Sequence, residues 1–327
     1  MKPINLYIAG DAGVTKTHYK AFTKEVINNR LVSFVYPNQL KQWFELTKNT
    51  PGNMLLDSGA FSVWNKGGVI DIDKYIFFAH NAISEAKKHN KKLRIVNLDV
   101  IPGKVGQTNT LNKKIASSET LKKNKAIINA SAKQGYLNCK IMKSNGITPI
   151  HVFHQGEDWK WLNRMLLITD YIGISPANDM PSRIRNNWMI SVFEYLYKNG
   201  VDIKTHGFAV TSFKILRDLP WESCDAATWT IAAGNGIIFM PHKGYKKPDF
   251  SKNPYNYIVS EKQKKNISPA ISKLLETSGY SINEIQSDHN IRRILNVKYL
   301  KLLQEYLNEY KKTAIYPKKK LQPLLIK

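Results

Sequence analysis

Acidic side chains follow several short apolar runs of this chain, at the points where the predicted strands end. Asp57 follows the apolar run 54–56, and Asp99 and Asp225 end two other predicted strands. A single acid at a strand end is typical of a turn whose side chain bonds its own backbone. Two carboxylates in one pocket have a further use, because one can act as a nucleophile while the other gives or takes a proton. Their spacing therefore suggests chemistry at a sugar-like carbon.

Polar residues end six of the predicted strands, and in a parallel α/β barrel all strand ends converge on one face. In chain order these residues are Asp57, Asp99, Gln155, Ser175, His206 and Asp225. Each alone fits a cap or a turn former, whereas six converging groups favour a functional site.

Eight short apolar runs alternate with segments of helical period between residues 6 and 229. This alternation predicts an α/β fold, a (β/α)8 TIM barrel over residues 1–240, with an open doubly wound sheet as the alternative. After residues 234–236 (Gly-Asn-Gly) the alternation stops. Residues 241–327 are predicted to form a basic loop and a helical C-terminal extension packed on the barrel, with helices at 267–277, 282–286 and 291–310.

The chain has 327 residues and a formal net charge of +24, with 49 lysines and arginines against 25 acids. A compositional bias toward lysine explains part of this excess, but its size still indicates a phosphate-rich partner, with nucleic acid favoured over a membrane. No apolar run is long enough for a membrane span. The two cysteines, Cys139 and Cys224, are too few for a disulfide framework or a cysteine-based zinc site, so a cytoplasmic setting is expected.

Two motifs resemble ligand sites without matching them. The segment Gly10–Thr17 follows a strand and ends in Lys-Thr, but its glycine spacing is wrong for a phosphate loop. His151 and His154 are three residues apart on a predicted strand, so their side chains are expected on opposite faces. No metal site is predicted from them.

Six segments, in order, resemble the signature elements of the tRNA-guanine transglycosylases. The most specific is 57–62 (Asp-Ser-Gly-Ala-Phe-Ser), which is similar to the family's Asp-Ser-Gly-Gly-Phe-Gln. The others are 97–102, 154–156 (similar to Val-Gln-Gly), 172–175, 206–210 and 223–226. The resemblance extends from about residue 55 to residue 236.

The departures from that family point to one of its branches. The tRNA enzymes carry a zinc subdomain with three cysteines after the nucleophile, whereas this chain has no cysteine beyond Cys224. Ala60 and Ser62 replace Gly and Gln. In these respects the chain is similar to the 7-deazaguanine DNA transglycosylases of phages and bacteria. That likeness implies a DNA substrate, no zinc or other cofactor, and as co-substrate a free 7-deazaguanine base such as a 7-cyano or 7-aminomethyl derivative.

The resemblance also implies a role for each matching residue. Asp225 corresponds to the nucleophile that attacks C1′ of the target nucleotide, and Asp57 to the general acid/base. The base-binding residues that it implies are Ser58, Phe61, Asp99, Gln155, Gly173 and His206.

Three alternatives remain open at the level of sequence. One is a tRNA-guanine transglycosylase, which the missing cysteines disfavour. Another is a catalytically inert nucleic-acid-binding barrel, which the presence of both Asp57 and Asp225 disfavours. The third is an unrelated phosphate-binding barrel enzyme, for which residues 234–236 offer little support.

Overall fold

The computed structural model describes residues 2–10, 29–46, 52–102, 118–178, 180–259 and 267–314. It divides into two compact units. The central unit is formed by Arg30–Phe208, and the terminal unit by the described residues of Met1–Asn29 and Ala209–Tyr316. The chain has an α/β fold in which parallel strands alternate with helices.

Ten strands and eleven helices lie in the described residues. The strands are β1 (Asn5–Ala9), β2 (Arg30–Ser33), β3 (Asn53–Asp57), β4 (Lys92–Ile95), β5 (His151–His154), β6 (Tyr171–Ser175), β7 (Lys204–Gly207), β8 (Ser223–Ala226), β9 (Ile237–Met240) and β10 (Tyr255–Ile258). The helices are α1 (Pro37–Leu46), α2 (Ala60–Asn65), α3 (Ile72–Lys88), α4 (Ser118–Ser144), α5 (Trp159–Leu166), α6 (Ser182–Lys198), α7 (Phe213–Asp218), α8 (Thr228–Gly234), α9 (Pro269–Glu276), α10 (Ile282–Ser287) and α11 (His289–Thr313).

The central unit contains six parallel strands in chain order. β3 pairs with β2 and β4, and β6 pairs with β5 and β7. A parallel bridge between Val96 and Ile150 joins the two sets of three. The centre of β3, Met54–Leu56, has no exposed surface, as expected for a parallel strand that is covered on both faces. Because the strands are parallel, their carboxyl ends lie at one edge of the sheet.

The terminal unit contains the parallel pair β1–β8, the antiparallel pair β9–β10 and the C-terminal helices. Helix α11 is tied to β1 by side chains, since Asn308 and Gln304 accept the backbone N–H groups of Ile4 and Leu6 at 2.7 Å each. Asn296 on the same helix accepts the N–H of Phe239 in β9 at 2.7 Å. Backbone groups that would otherwise be buried without partners are satisfied in this way.

The α/β alternation predicted from the sequence is confirmed. One local prediction is corrected. The eighth strand or its end was expected at residues 224–229, but β8 covers Ser223–Ala226 and helix α8 begins at Thr228. The loop predicted at 241–254 is confirmed as the connection between β9 and β10, two strands that were not predicted. The helix predicted at 16–28 and most of the segment 10–17 lie outside the described residues. The domain boundary at residue 240 stays a prediction. None of the described helices is both long and apolar enough to cross a membrane.

Candidate functional site

The turn after β3 is built by Asp57, Ser58 and Gly59. Gly59 has a φ of 76°, and a Cβ added there would lie 2.7 Å from a methyl group of Val35. The Gly59 N–H donates to the Asp57 carboxylate at 3.0 Å, and the Ala60 N–H donates to the Ser58 hydroxyl oxygen at 3.2 Å. These side chains therefore shape the turn that starts helix α2.

Asp99 connects this turn to the end of β5. The buried Ser58 hydroxyl donates to Asp99 Oδ1 at 3.1 Å. The other oxygen, Oδ2, lies 2.9 Å from His154 Nε2. Both oxygens of the Asp99 carboxylate are thus held by side chains, which fixes the plane of the group. An ionised carboxylate only accepts hydrogen bonds, and each oxygen has lone pairs for more than one donor.

His154 lies between two carboxylates. Its Nδ1 is 2.9 Å from Glu157 Oε1, and its Nε2 is 2.9 Å from Asp99. Each of these two hydrogen bonds needs one proton, and a protonated imidazolium supplies both. We refer to Asp99, His154 and Glu157 as the His154 cluster. With both acids ionised, the cluster carries a net charge of −1.

The pKa values in the cluster follow from this geometry. Burial alone would lower the pKa of His154, but the hydrogen bonds and charges of Asp99 and Glu157 outweigh it and raise the pKa to about 10. Burial raises the pKa of Glu157, although the hydrogen bond to His154 opposes that rise. His154 is therefore cationic at neutral pH, and it keeps the Asp99 carboxylate an acceptor.

Tyr75 is hydrogen-bonded to the backbone at the carboxyl ends of β3 and β4. Its hydroxyl donates to the carbonyl oxygen of Val96 at 2.7 Å, with the Leu56 carbonyl oxygen at 3.3 Å. Burial raises the pKa of Tyr75 well above its ordinary value, and the charges of Asp57 and Asp99 raise it further. The phenol therefore stays neutral and acts as a fixed donor.

Gln155 directly follows His154. Its side-chain oxygen accepts the N–H of Ala177 at 3.0 Å, and its backbone N–H donates to the Ser175 carbonyl oxygen at 3.0 Å. The first bond orients the amide so that its oxygen is occupied and its NH2 group is the end that can donate to a ligand.

Gly173 and His206 are neighbours across β6 and β7. A Cβ added at Gly173 would lie 2.3 Å from Cε2 of Phe208, whose ring meets the buried His206 ring edge-on at 4.5 Å. The absence of a side chain at Gly173 thus makes room for Phe208. Phe61, on α2, is 45% exposed and contacts Trp64, with ring centroids 5.8 Å apart.

Asp225 lies in the terminal unit, on β8 opposite Tyr7. Its Oδ1 accepts the backbone N–H of Ala209 at 2.9 Å, and Ala209 has a φ of 51°, in the left-handed region. Asp225 also lines a cavity of about 500 Å³ in the same unit. The residues that line this cavity include Thr211, Ser212, Phe213, Lys214, Thr228, Phe239 and Tyr299.

Within the central unit, Ser58, Asp99 and His154 are directly connected. From the sequence, His154 was weighed as a metal ligand and matched only as the first residue of segment 154–156, and Glu157 was not singled out. An acid three residues after a histidine at a strand end was the signal that could have found the pair. His151 has other neighbours, since its Nδ1 lies 3.4 Å from Asn97 Nδ2; burial, and then the charge of His154, lower its pKa to about 3. The described residues contain no group of three or more His, Cys, Asp or Glu arranged to hold a metal ion.

Comparisons with known proteins do not assign this site. No protein-family model matches the chain, and no curated protein matches it. Among solved structures, it is similar to a probable tagatose 6 phosphate kinase from Sinorhizobium meliloti 1021, with 10% identity and a TM-score of 0.29, over 72% of this chain and 68% of that chain. A likeness this weak carries no argument about fold or activity.

Proposed function

We propose that this protein replaces guanine in DNA by a 7-deazaguanine base, through a covalent bond between Asp225 and C1′ of the target nucleotide. The observation that carries the proposal is the Asp99 carboxylate, both of whose oxygens are held as acceptors by Ser58 and His154. The ordered likeness to transglycosylase motifs supports it further. The proposal includes a closed barrel with residues 241–327 packed on it, and a cytoplasmic protein that needs no metal.

The edge of guanine fits a fixed pair of acceptors. Guanine offers two neighbouring donors, N1–H and the N2 amino group, and the two Asp99 oxygens accept them. The oriented amide of Gln155 donates to O6, whereas the backbone N–H of Gly173, in the middle of β6, belongs to the hydrogen-bond ladder with the neighbouring strands. Adenine has an acceptor at N1, so a site of this kind rejects it by roughly 10⁴-fold or more, because buried polar groups would be left unpaired.

The exchange then takes two displacements. In the first, an Asp225 oxygen attacks C1′, the C1′–N9 bond breaks, and the departing guanine receives the electron pair and then a proton from Asp57 acting as general acid. In the second, Asp57 takes the N9 proton of the incoming base, N9 attacks C1′, and the ester bond breaks to restore the Asp225 carboxylate. Two inversions give net retention at C1′.

The base-binding groups need the target base outside the helix stack. Extruding a base from a duplex costs roughly a few kcal/mol. The net charge of +24 favours binding of the phosphate backbone, which offsets this cost. Phe61 is half-exposed on α2, and we assign it to stacking on the base; we assign His206 to the opposite wall.

The test offers labelled guanine with DNA and with tRNA in parallel, at two salt concentrations. Wild-type protein and the control Asp73→Asn, which changes an exposed acid in the first turn of α3, are expected to label DNA alone. Asp225→Ala is expected to label neither. Labelling of tRNA alone would identify a tRNA enzyme, and no labelling by wild-type protein would leave only a binding function. Labelling by Asp225→Ala equal to that by an active wild type would exclude Asp225 as the nucleophile.

A further inference from the structure

The β9–β10 hairpin of the terminal unit carries a row of aromatic rings. The ring centroids of His242 and Tyr255 are 3.9 Å apart, and those of Tyr255 and Tyr257 are 5.2 Å apart. Tyr255 is 36% exposed. Tyr255 and Tyr257 are two residues apart on a strand, so their side chains share one face. We refer to His242, Tyr255 and Tyr257 as the ring ladder.

The connection between β9 and β10 is basic. Lys246, Lys247 and Lys252 are exposed there, and Lys243 is paired with Asp249, the only acid of the connection, at 3.1 Å. The segment therefore has a local charge of +3, apart from histidine. Exposed amines next to aromatic rings are the combination that binds single strands, because the amines attract the phosphates and the rings stack on unpaired bases.

Local packing holds the ring ladder in place. Antiparallel pairing sets Tyr255 opposite Met240 and Tyr257 opposite Ile238, and these two partners are fully buried. The ring of His242 is fixed by a 2.7 Å hydrogen bond between its Nε2 and the Asn253 carbonyl oxygen. Rings that are ordered before binding lose little conformational entropy when a base stacks on them.

We propose that the ring ladder and the exposed lysines of the same hairpin form a binding surface for single-stranded nucleic acid. Unpaired bases stack on the tyrosines, and Lys246 and Lys247 contact the phosphates. A duplex keeps its bases inside the stack and gains the lysine contacts only. The proposal rests on the proposed function only in expecting a nucleic-acid partner, and it requires no base exchange.

The test measures binding of a thymidine 12-mer by fluorescence anisotropy, with a matched dA·dT duplex as comparison. Neither oligonucleotide contains guanine, so the result does not depend on base exchange. Wild-type protein is expected to bind the single strand more tightly. The double variant Y255L/Y257L is expected to bind it about tenfold or more weakly with an unchanged salt dependence, whereas Y255F/Y257F should match wild type.

A second pair of variants separates the charges from the rings. K246Q/K247Q is expected to lower the slope of log affinity against log salt by about 1.4 for a single strand. The control K87Q/K198Q removes two exposed lysines of the central unit and should leave that slope unchanged. Ultraviolet crosslinking of wild-type protein to a bromodeoxyuridine 12-mer should label the peptide that contains residues 255–257, which needs no variant to fold. Equal binding of strand and duplex, or crosslinks confined to other peptides, would overturn the proposal.

Discussion

The carboxylates of Asp99 and Asp225 are held in two different ways. Asp99 is held by side chains, the hydroxyl of Ser58 and the imidazolium of His154. A backbone N–H, that of Ala209, holds an oxygen of Asp225. A backbone donor does not titrate, whereas an imidazolium loses its charge at high pH. A donor that holds Asp99, the carboxylate proposed to recognise the base, therefore depends on protonation, whereas the Ala209 donor at Asp225, the proposed nucleophile, does not.

The largest effect should come from removing the cation between the two acids. His154→Gln leaves Asp99 and Glu157 as buried carboxylates with one amide between them, so we expect a loss of about 3–5 kcal/mol in the free energy of unfolding. Exchange activity should also fall, because Asp99 is no longer fixed. Urea unfolding and kcat/KM for labelled guanine measure the two effects.

Glu157→Gln is the matched control for this substitution. It keeps the size of the side chain and an oxygen facing His154 Nδ1, so it should cost clearly less stability than His154→Gln. If His154→Gln were as stable as wild type, the cluster would not need its cation. The contrast drawn between the donors of Asp99 and Asp225 would then be wrong.

The pH dependence of stability tests the same cation without a change at Asp99. The pKa of His154 is raised above its ordinary value of 6.5, to about 10, so its contribution is full below pH 6.5 and is lost as the pH rises toward 10. The loss should be smaller than in His154→Gln, because a neutral imidazole still donates one hydrogen bond. The difference in urea midpoint between wild type and His154→Gln should therefore shrink as the pH rises from 6.5 to 10, since the other titrating groups are the same in both proteins. A difference that stays constant would contradict this assignment.

Substitutions at Gly173 can distinguish a role in packing against Phe208 from a role in binding the base. Gly173→Ala should destabilise the central unit by about 1–3 kcal/mol, because the new Cβ meets the Phe208 ring. The double variant Gly173→Ala with Phe208→Leu should regain most of that stability. If its exchange activity recovers as well, the role of Gly173 is limited to making room for the Phe208 ring. If activity stays low, the absence of a side chain at Gly173 is also needed for base binding.

The smallest effect is expected at the anchor of Asp225. Ala209→Gly keeps the N–H and relieves a left-handed φ of 51°, so the change in unfolding free energy should stay within about 1 kcal/mol. Exchange activity should be close to that of wild type. A large loss of activity with unchanged stability would mean that activity depends more strongly on the orientation of the Asp225 carboxylate than on that of Asp99.

The sequence predicts the strands that carry these groups, because apolar runs such as 54–56 are long enough to be recognised and are closed by turn residues. It also predicts that Asp57 and Ser58 lie in a turn. It could not predict the contact of Asp99 with His154, since the two residues are 55 positions apart and are brought together where the chain bridges Val96 to Ile150. The hairpin was missed because its connection is rich in lysine, glycine and proline, which favours a loop.

The covalent bond proposed between Asp225 and C1′ of the target nucleotide is the step on which the proposed function depends most. A guanine-containing oligonucleotide incubated with the protein, without an incoming base, and then denatured tests it directly. We expect a protein–DNA adduct that survives denaturation and maps by mass spectrometry to the peptide containing Asp225, and that is absent in Asp225→Asn. An adduct that persists in Asp225→Asn, or exchange of labelled guanine without any adduct on that peptide, would contradict it.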